Sequence, residues 1–314
     1  PATPPVDDPL DADPPQTATA DPAEGPSRNA DLQAAEQLIQ AGKFSDAVPK
    51  LQAALQAEPK NPRAAFYLAV VTEQTGGDLA EVERLYKQAL TFDPKFADAA
   101  LNLAAIYLAE PPRPDDAIVI LDKALAHTPG DPKLLTNLGY AHSLKGDHEK
   151  ARKALEAALK VEDTPELRLM LGTTLVEAKQ PELAVPHLLK ASEAMQDDAA
   201  SLATIARMLG FGKAYGDCIR LFDKAIQLKP NEPELFVRRG VCKHELKQET
   251  QAADDFRAAL KVDAKFQPAH YYLGLSLLAQ GNKGAAKASL KKAWELGKDT
   301  PVGKLAKAKL DSVK

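Results

Sequence analysis

The chain has 314 residues, of which 45% are hydrophobic but only 5% aromatic, and its net charge is -4. Such a balance offers no broad basic field for nucleic acid, and no run of about 18 apolar residues is present to span a bilayer. Alanine and leucine dominate and strand-forming residues are scarce, so an all-α fold is expected.

Residues 1–27 hold eight prolines and six acids without one base. A segment of this kind buries too little apolar surface to offset its ordering entropy and is expected to be a disordered Pro/Asp-rich linker. The chain begins at Pro1 without a methionine, so processing or trimming is expected, with a signal peptide or lipid anchor upstream. The linker resembles the spacers that follow such sites in bacterial envelope proteins. A periplasmic or envelope-associated location is therefore favoured over the cytoplasm.

From residue 28 a helical pattern repeats. It is clearest over Pro132–Asp163, where Leu135, Leu138, Gly139 and His142 recur at helical spacing, Gly146-Asp147 interrupts, and Ala151, Ala154, Leu155, Ala158 and Leu159 resume. This predicts helix, tight turn, helix, with Gly146 ending the first helix in the left-handed conformation and Asp147 capping the second. Copies of the unit are expected over 28–61, 62–96, 97–131, 132–164, 165–198, 199–232, 233–266 and 267–300. The site of Ala158 recurs as Ala54, Ala89, Ala124, Ala191, Ala225, Ala259 and Ala293, at spacings of 33 to 35 residues. The site of Gly139 recurs as Ala35, Ala69, Ala104, Gly172, Ala206, Gly240 and Gly274, and that of Leu155 as Leu51, Tyr86, Leu121, Leu188, Phe222, Phe256 and Leu290. Small sites stay small and large sites stay large.

These columns, the period of about 34 residues and the prolines between units resemble tetratricopeptide repeats. The resemblance covers residues 28–300. It implies a right-handed α-solenoid of eight helix-turn-helix repeats forming one domain, since such arrays grow by stacking neighbours. Thr300-Pro301 opens a last segment, 301–314, whose Val302, Leu305, Ala306, Leu310 and Val313 form one stripe; it looks like the capping helix of these arrays.

Nothing assembles a catalytic centre. The six histidines are scattered, no Cys or His pair has zinc spacing, and Gly210-Phe211-Gly212-Lys213 lacks the length of a phosphate loop and is read as a turn. No cofactor and no metal are expected. Cys218 and Cys242 are read as small packing hydrophobes, with a disulfide between neighbouring repeats left open. The lysines from Lys283 onward are read as a solvated face, with contact to an acidic partner or lipid headgroups as the alternative.

What remains is a surface. The resemblance implies that first-helix residues opposite the packed stripe line a concave groove: Phe66, Val70, Leu101, Asn102, Asn137, Tyr140, Leu144, Leu169, Val176, Phe211, Val241, Tyr271, Leu275 and Leu278. This set is unusually apolar for a wet face, which points to a protein or peptide segment as partner. Asn102 and Asn137 share one repeat site and resemble asparagine pairs that hold a peptide main chain. The lysine that some family members use to clamp an acidic C-terminus is replaced by Leu32, Phe66, Leu101, Thr136, Leu169, Ala203, Val237 and Tyr271, which disfavours that type of partner. The expected function is a non-catalytic interaction scaffold, with assembly of a bacterial cell-envelope machine as the setting. The alternative is the substrate-recruiting part of a larger enzyme complex.

Overall fold

The computed structural model describes residues 29–109 and 111–313. The expected linker over residues 1–27 lies outside them. Helix starts follow from local chemistry: the side chains of Asn29, Asn61, Asp131, Thr164 and Thr300 each accept a hydrogen bond from a backbone N–H in the first turn that follows. Proline follows directly after the last four, where its missing N–H removes no bond.

The described residues form seventeen α-helices and no strand. They divide between Asp163 and Thr164 into two compact units. The first holds α1 (Ala30–Gln40), α2 (Phe44–Ala57), α3 (Pro62–Gln74), α4 (Leu79–Phe92), α5 (Ala97–Leu108), α6 (Pro114–Leu125), α7 (Pro132–Lys145) and α8 (His148–Val161). The second holds α9 (Pro165–Glu177), α10 (Pro181–Ala194), α11 (Ala199–Phe211), α12 (Tyr215–Leu228), α13 (Pro233–Glu245), α14 (Glu249–Val262), α15 (Gln267–Ala279), α16 (Lys283–Leu296) and α17 (Pro301–Ser312). Within each unit every odd-numbered helix packs on the even-numbered helix after it, and that helix packs on the next hairpin. Each unit is thus an all-α repeat array of four hairpins, and α17 lies against α16 and α15.

The alanine column explains the stacking. Ala54, Ala89, Ala158, Ala191, Ala225, Ala259 and Ala293 are completely buried, so a larger side chain at those sites meets atoms of a neighbouring helix. The Gly139 column is tighter still where it is glycine, for a Cβ built on Gly139 would stand 2.6 Å from the Leu155 side chain.

The turns inside the hairpins share one backbone solution. Gly42, Gly76, Gly146 and Gly281 take φ between +70° and +81°. In three repeats of the second unit the same site is lysine: Lys179, Lys213 and Lys247 adopt φ of +60° to +62°, a conformation that costs a side-chain-bearing residue about 1–2 kcal/mol. Asp147 departs from expectation. Its side chain makes no capping bond to α8 and instead faces His142 Nδ1 and Lys150 Nζ, each at 3.6 Å.

Candidate partner-binding face

The odd-numbered helices carry the residues that the sequence assigns to a groove, and the structure sorts them by unit. Phe66, Val70, Leu101, Asn102, Asn137, Tyr140 and Leu144 belong to the first unit, and Leu169, Val176, Phe211, Val241, Tyr271, Leu275 and Leu278 to the second.

Burial then sorts them again. Phe66 (2%), Leu101 (1%), Asn102 (6%), Asn137 (1%) and Tyr271 (8%) are buried and belong to the core rather than to an open face. The cause at Phe66 is aromatic enclosure, with Phe96 at 4.8 Å, Tyr67 at 5.3 Å and Tyr86 at 5.9 Å between ring centroids. Tyr271 sits against Tyr272, with Leu290 and Ala306 in the same cluster. Asn102 is engaged inside its own unit: its Nδ2 donates to the Tyr86 hydroxyl at 3.1 Å, and that hydroxyl donates to the Glu73 carboxylate at 3.0 Å. An asparagine pair open to a peptide main chain is therefore not what this unit presents.

The remaining residues are half-buried. In the second unit these are Leu169, Val176, Phe211, Val241, Leu275 and Leu278, carried on α9, α11, α13 and α15, each of which meets the next. In the first unit Val70, Tyr140 and Leu144 are half-buried against one core cluster. Met170 and Tyr272, at the repeat site of Asn102 and Asn137, are also half-buried. Reading that column in every repeat, rather than only where it holds asparagine, finds them from sequence.

Several polar and charged side chains on α13 are already partnered. Arg238 Nε lies 2.6 Å from Glu234, and His244 Nδ1 lies 2.7 Å from Glu249. Asp255 is 4% exposed and is held by Arg239 at 2.5 Å and Lys243 at 2.8 Å, while Arg239 also reaches Asp223 at 2.6 Å. Although burial works against the charge on Arg239, the carboxylates of Asp255 and Asp223 hold its pKa above the ordinary value. This network stitches α12, α13 and α14 by charge. Burial raises the Tyr271 hydroxyl and pushes that of Tyr272 up to about 12.

Cys218 and Cys242 differ from the packing reading. They form a disulfide between α12 and α13, with Cα atoms 6.5 Å apart. Among the described residues no cluster of three His, Cys, Asp or Glu is arranged to hold a metal ion, and no described helix is long and apolar enough to cross a membrane.

Family models described as tetratricopeptide repeat match residues 32–95 and 250–298 and residues 113–166, together more than half of the chain. The chain belongs to the tetratricopeptide repeat family. Among its tetratricopeptide relatives, small glutamine-rich tetratricopeptide repeat-containing protein 2 of Mycosarcoma maydis is 36% identical over 84 residues, 27% of this chain and 24% of that protein. The E3 ubiquitin-protein ligase CHIP of Arabidopsis thaliana is 32% identical over 90 residues, 28% of this chain and 32% of that protein. The aligned part thus spans a quarter to a third of these relatives. Among solved structures, PilW, a widely conserved type IV pilus biogenesis factor, superposes with a TM-score of 0.54 at 20% identity, over 64% of this chain and 93% of that one. That likeness establishes the shared helical-repeat fold. The tetratricopeptide fold is a protein-interaction fold, and no catalytic family is indicated.

Proposed function

We propose that this chain is a non-catalytic scaffold that holds an apolar segment of a partner protein along the odd-numbered helices, in the assembly of a cell-envelope machine. The observation that carries the binding part is the row of half-buried apolar side chains Leu169, Val176, Phe211, Val241 and Leu275 on successive first helices of the second unit. Such a row gives up further apolar surface when covered, without first having to be unpacked. The envelope setting is supported by the Cys218–Cys242 bond, because disulfides persist in oxidising compartments and are rare where glutathione keeps thiols reduced.

The test is capture of a partner from an envelope fraction, followed by titration calorimetry with wild type and with Phe211→Ala and Tyr140→Ala. Aromatic anchors at an interface are worth on the order of 2 kcal/mol each. A loss of that size at Phe211, with an unchanged circular dichroism spectrum, supports the second unit's face. Equal affinity for all three proteins removes the face from consideration. The match to a ubiquitin ligase supports a second reading, recruitment of a substrate to an enzyme, and a captured catalytic subunit would select it.

A further inference from the structure

The charge of this chain is not spread along it. From Lys283 onward there are nine lysines against Glu295, Asp299 and Asp311, an excess of six cations; the rest of the chain, out of a total of -4, therefore stands at -10. The whole positive excess is carried by the last hairpin helix, α16, by the closing helix α17 and by the residues beside them. Among the described residues, ion pairs occupy only Lys291, 3.7 Å from Glu295, and Lys307, 2.6 Å from Asp311. Lys287, Lys292, Lys304 and Lys309 are exposed.

Two features say what kind of anion this surface suits. First, every cation in it is lysine and none is arginine. A guanidinium fork recognises a discrete carboxylate or phosphate by paired hydrogen bonds, whereas ammonium groups act as point charges that sum over a diffuse field. Second, Trp294, the only tryptophan of the chain, is half-buried between two of these lysines. Lys298 Nζ lies 5.3 Å and Lys307 Nζ 5.1 Å from its ring centroid. An amphipathic ring flanked by cations matches the headgroup zone of a bilayer, where tryptophan and lysine both concentrate. The apolar residues of α17, among them Val302, Leu305 and Leu310, pack onto the array, so they supply no insertion.

We propose that α16 and α17 form an electrostatic docking surface for an anionic lipid headgroup layer, with Trp294 at its centre. The inference goes beyond the groove and does not depend on it. Repulsion between the lipid layer and the acidic remainder of the chain would leave these helices as the part that faces the membrane.

The full chain carries its own reporter, since Trp294 emission comes from inside the proposed surface. Titration with vesicles of phosphatidylglycerol mixed into phosphatidylcholine should shift that emission and sediment the protein. Phosphatidylcholine alone should do neither, and added salt should release the protein. A juxtamembrane lysine contributes roughly fivefold in affinity, so replacing Lys287, Lys292, Lys304 and Lys309 together by Gln should weaken vesicle binding on the order of a hundredfold or more. The same variant should keep its helical spectrum and its vesicle-free emission. Equal binding to neutral vesicles, or undiminished binding by the variant, overturns the proposal. So does a response to inorganic phosphate alone that matches the response to vesicles, which would mean a discrete phosphate site. A synthetic peptide of residues 1–27, with its six acids, completes the test. Binding of that peptide in place of vesicles would make the surface a dock for an acidic polypeptide and would also overturn the lipid assignment.

Discussion

Gly240 faces the ring of Phe256 so closely that a Cβ built on it would stand 2.5 Å from Cε1 and 2.9 Å from Cζ. Elsewhere in the array the same pair of sites is filled by Ala35 with Leu51 and Ala104 with Leu121, all buried. Ala69 with Tyr86 and Ala206 with Phe222 hold an aromatic ring opposite alanine as well, all four buried, so the obstacle at Gly240 is where the Phe256 ring lies and not its being aromatic. Gly240→Ala is expected to destabilise by about 1–3 kcal/mol through overpacking, less up to about 1 kcal/mol regained from helix propensity. Adding Phe256→Ala removes the ring that the new methyl would meet, so a double-mutant cycle in urea should show a coupling well outside experimental error. Strict additivity would mean that the two sites do not oppose each other.

This pairing also shows how far the sequence was legible. The alanine and glycine columns announced hairpins because close helix crossings exclude larger side chains, and a constraint of that kind repeats in every unit. Gly42, Gly76, Gly146 and Gly281 marked their turns for the same reason. Lys179, Lys213 and Lys247 could not, because a lysine in the left-handed region is over-determined by the helices on either side and leaves no local signature. The groove was the least legible part. Whether an inner residue such as Phe66 is open or enclosed depends on rings contributed by Tyr86 and Phe96, which lie outside its own helix. Cys218 and Cys242 were separated by 24 positions, and their pairing depends on how neighbouring hairpins pack.

The closing helix is held by contact with the turn before it. Gly303 is buried, and a Cβ there would lie far inside van der Waals distance of the Gly297 carbonyl oxygen, a backbone atom that no rotamer change can move. Gln267 Nε2 donates to that same oxygen at 3.0 Å, and the Thr300 hydroxyl donates to it at 2.8 Å. Gly303→Ala should therefore undock α17 and uncover Leu290, Ala293 and Trp294, and a terminal repeat without its cover loses solubility. Self-association by light scattering is the expected result, as it is for a chain truncated after Lys298. A monomeric Gly303→Ala protein with the melting temperature of wild type would show that α17 does not act as a cap.

The disulfide predicts a redox-dependent stability. It closes a loop with a sequence separation of 24, for which the chain-entropy estimate is about 3 kcal/mol. Protein recovered from an oxidising compartment should show no reactive thiol even in denaturant and should lose roughly that much stability on reduction. Cys242→Ser should behave like the reduced protein and respond no further to reductant. Two free thiols in material from the native compartment would disprove the pairing and remove the support it gives to the envelope setting.

Alkaline pH should unfold the chain through its buried tyrosines. Burial first, and then the neighbouring Glu73 carboxylate, drives the Tyr86 hydroxyl well above its usual range, and burial pushes Tyr272 up to about 12. A tyrosine whose pKa is raised in the folded state contributes stability that is fully present below the unfolded value of about 10 and is lost as pH rises above it. For Tyr272 the loss runs from about pH 10 to about 12, at about 1.4 kcal/mol per pH unit. Exposed ion pairs such as Lys307 with Asp311 are worth little beside this. Urea midpoints should accordingly hold steady up to pH 9 and fall steeply by pH 11. Tyr272→Phe removes one of these ionisations and should flatten the fall without abolishing it, whatever its own effect on stability at neutral pH. A midpoint unchanged between pH 9 and pH 11 would show that neither hydroxyl is held in the environment described.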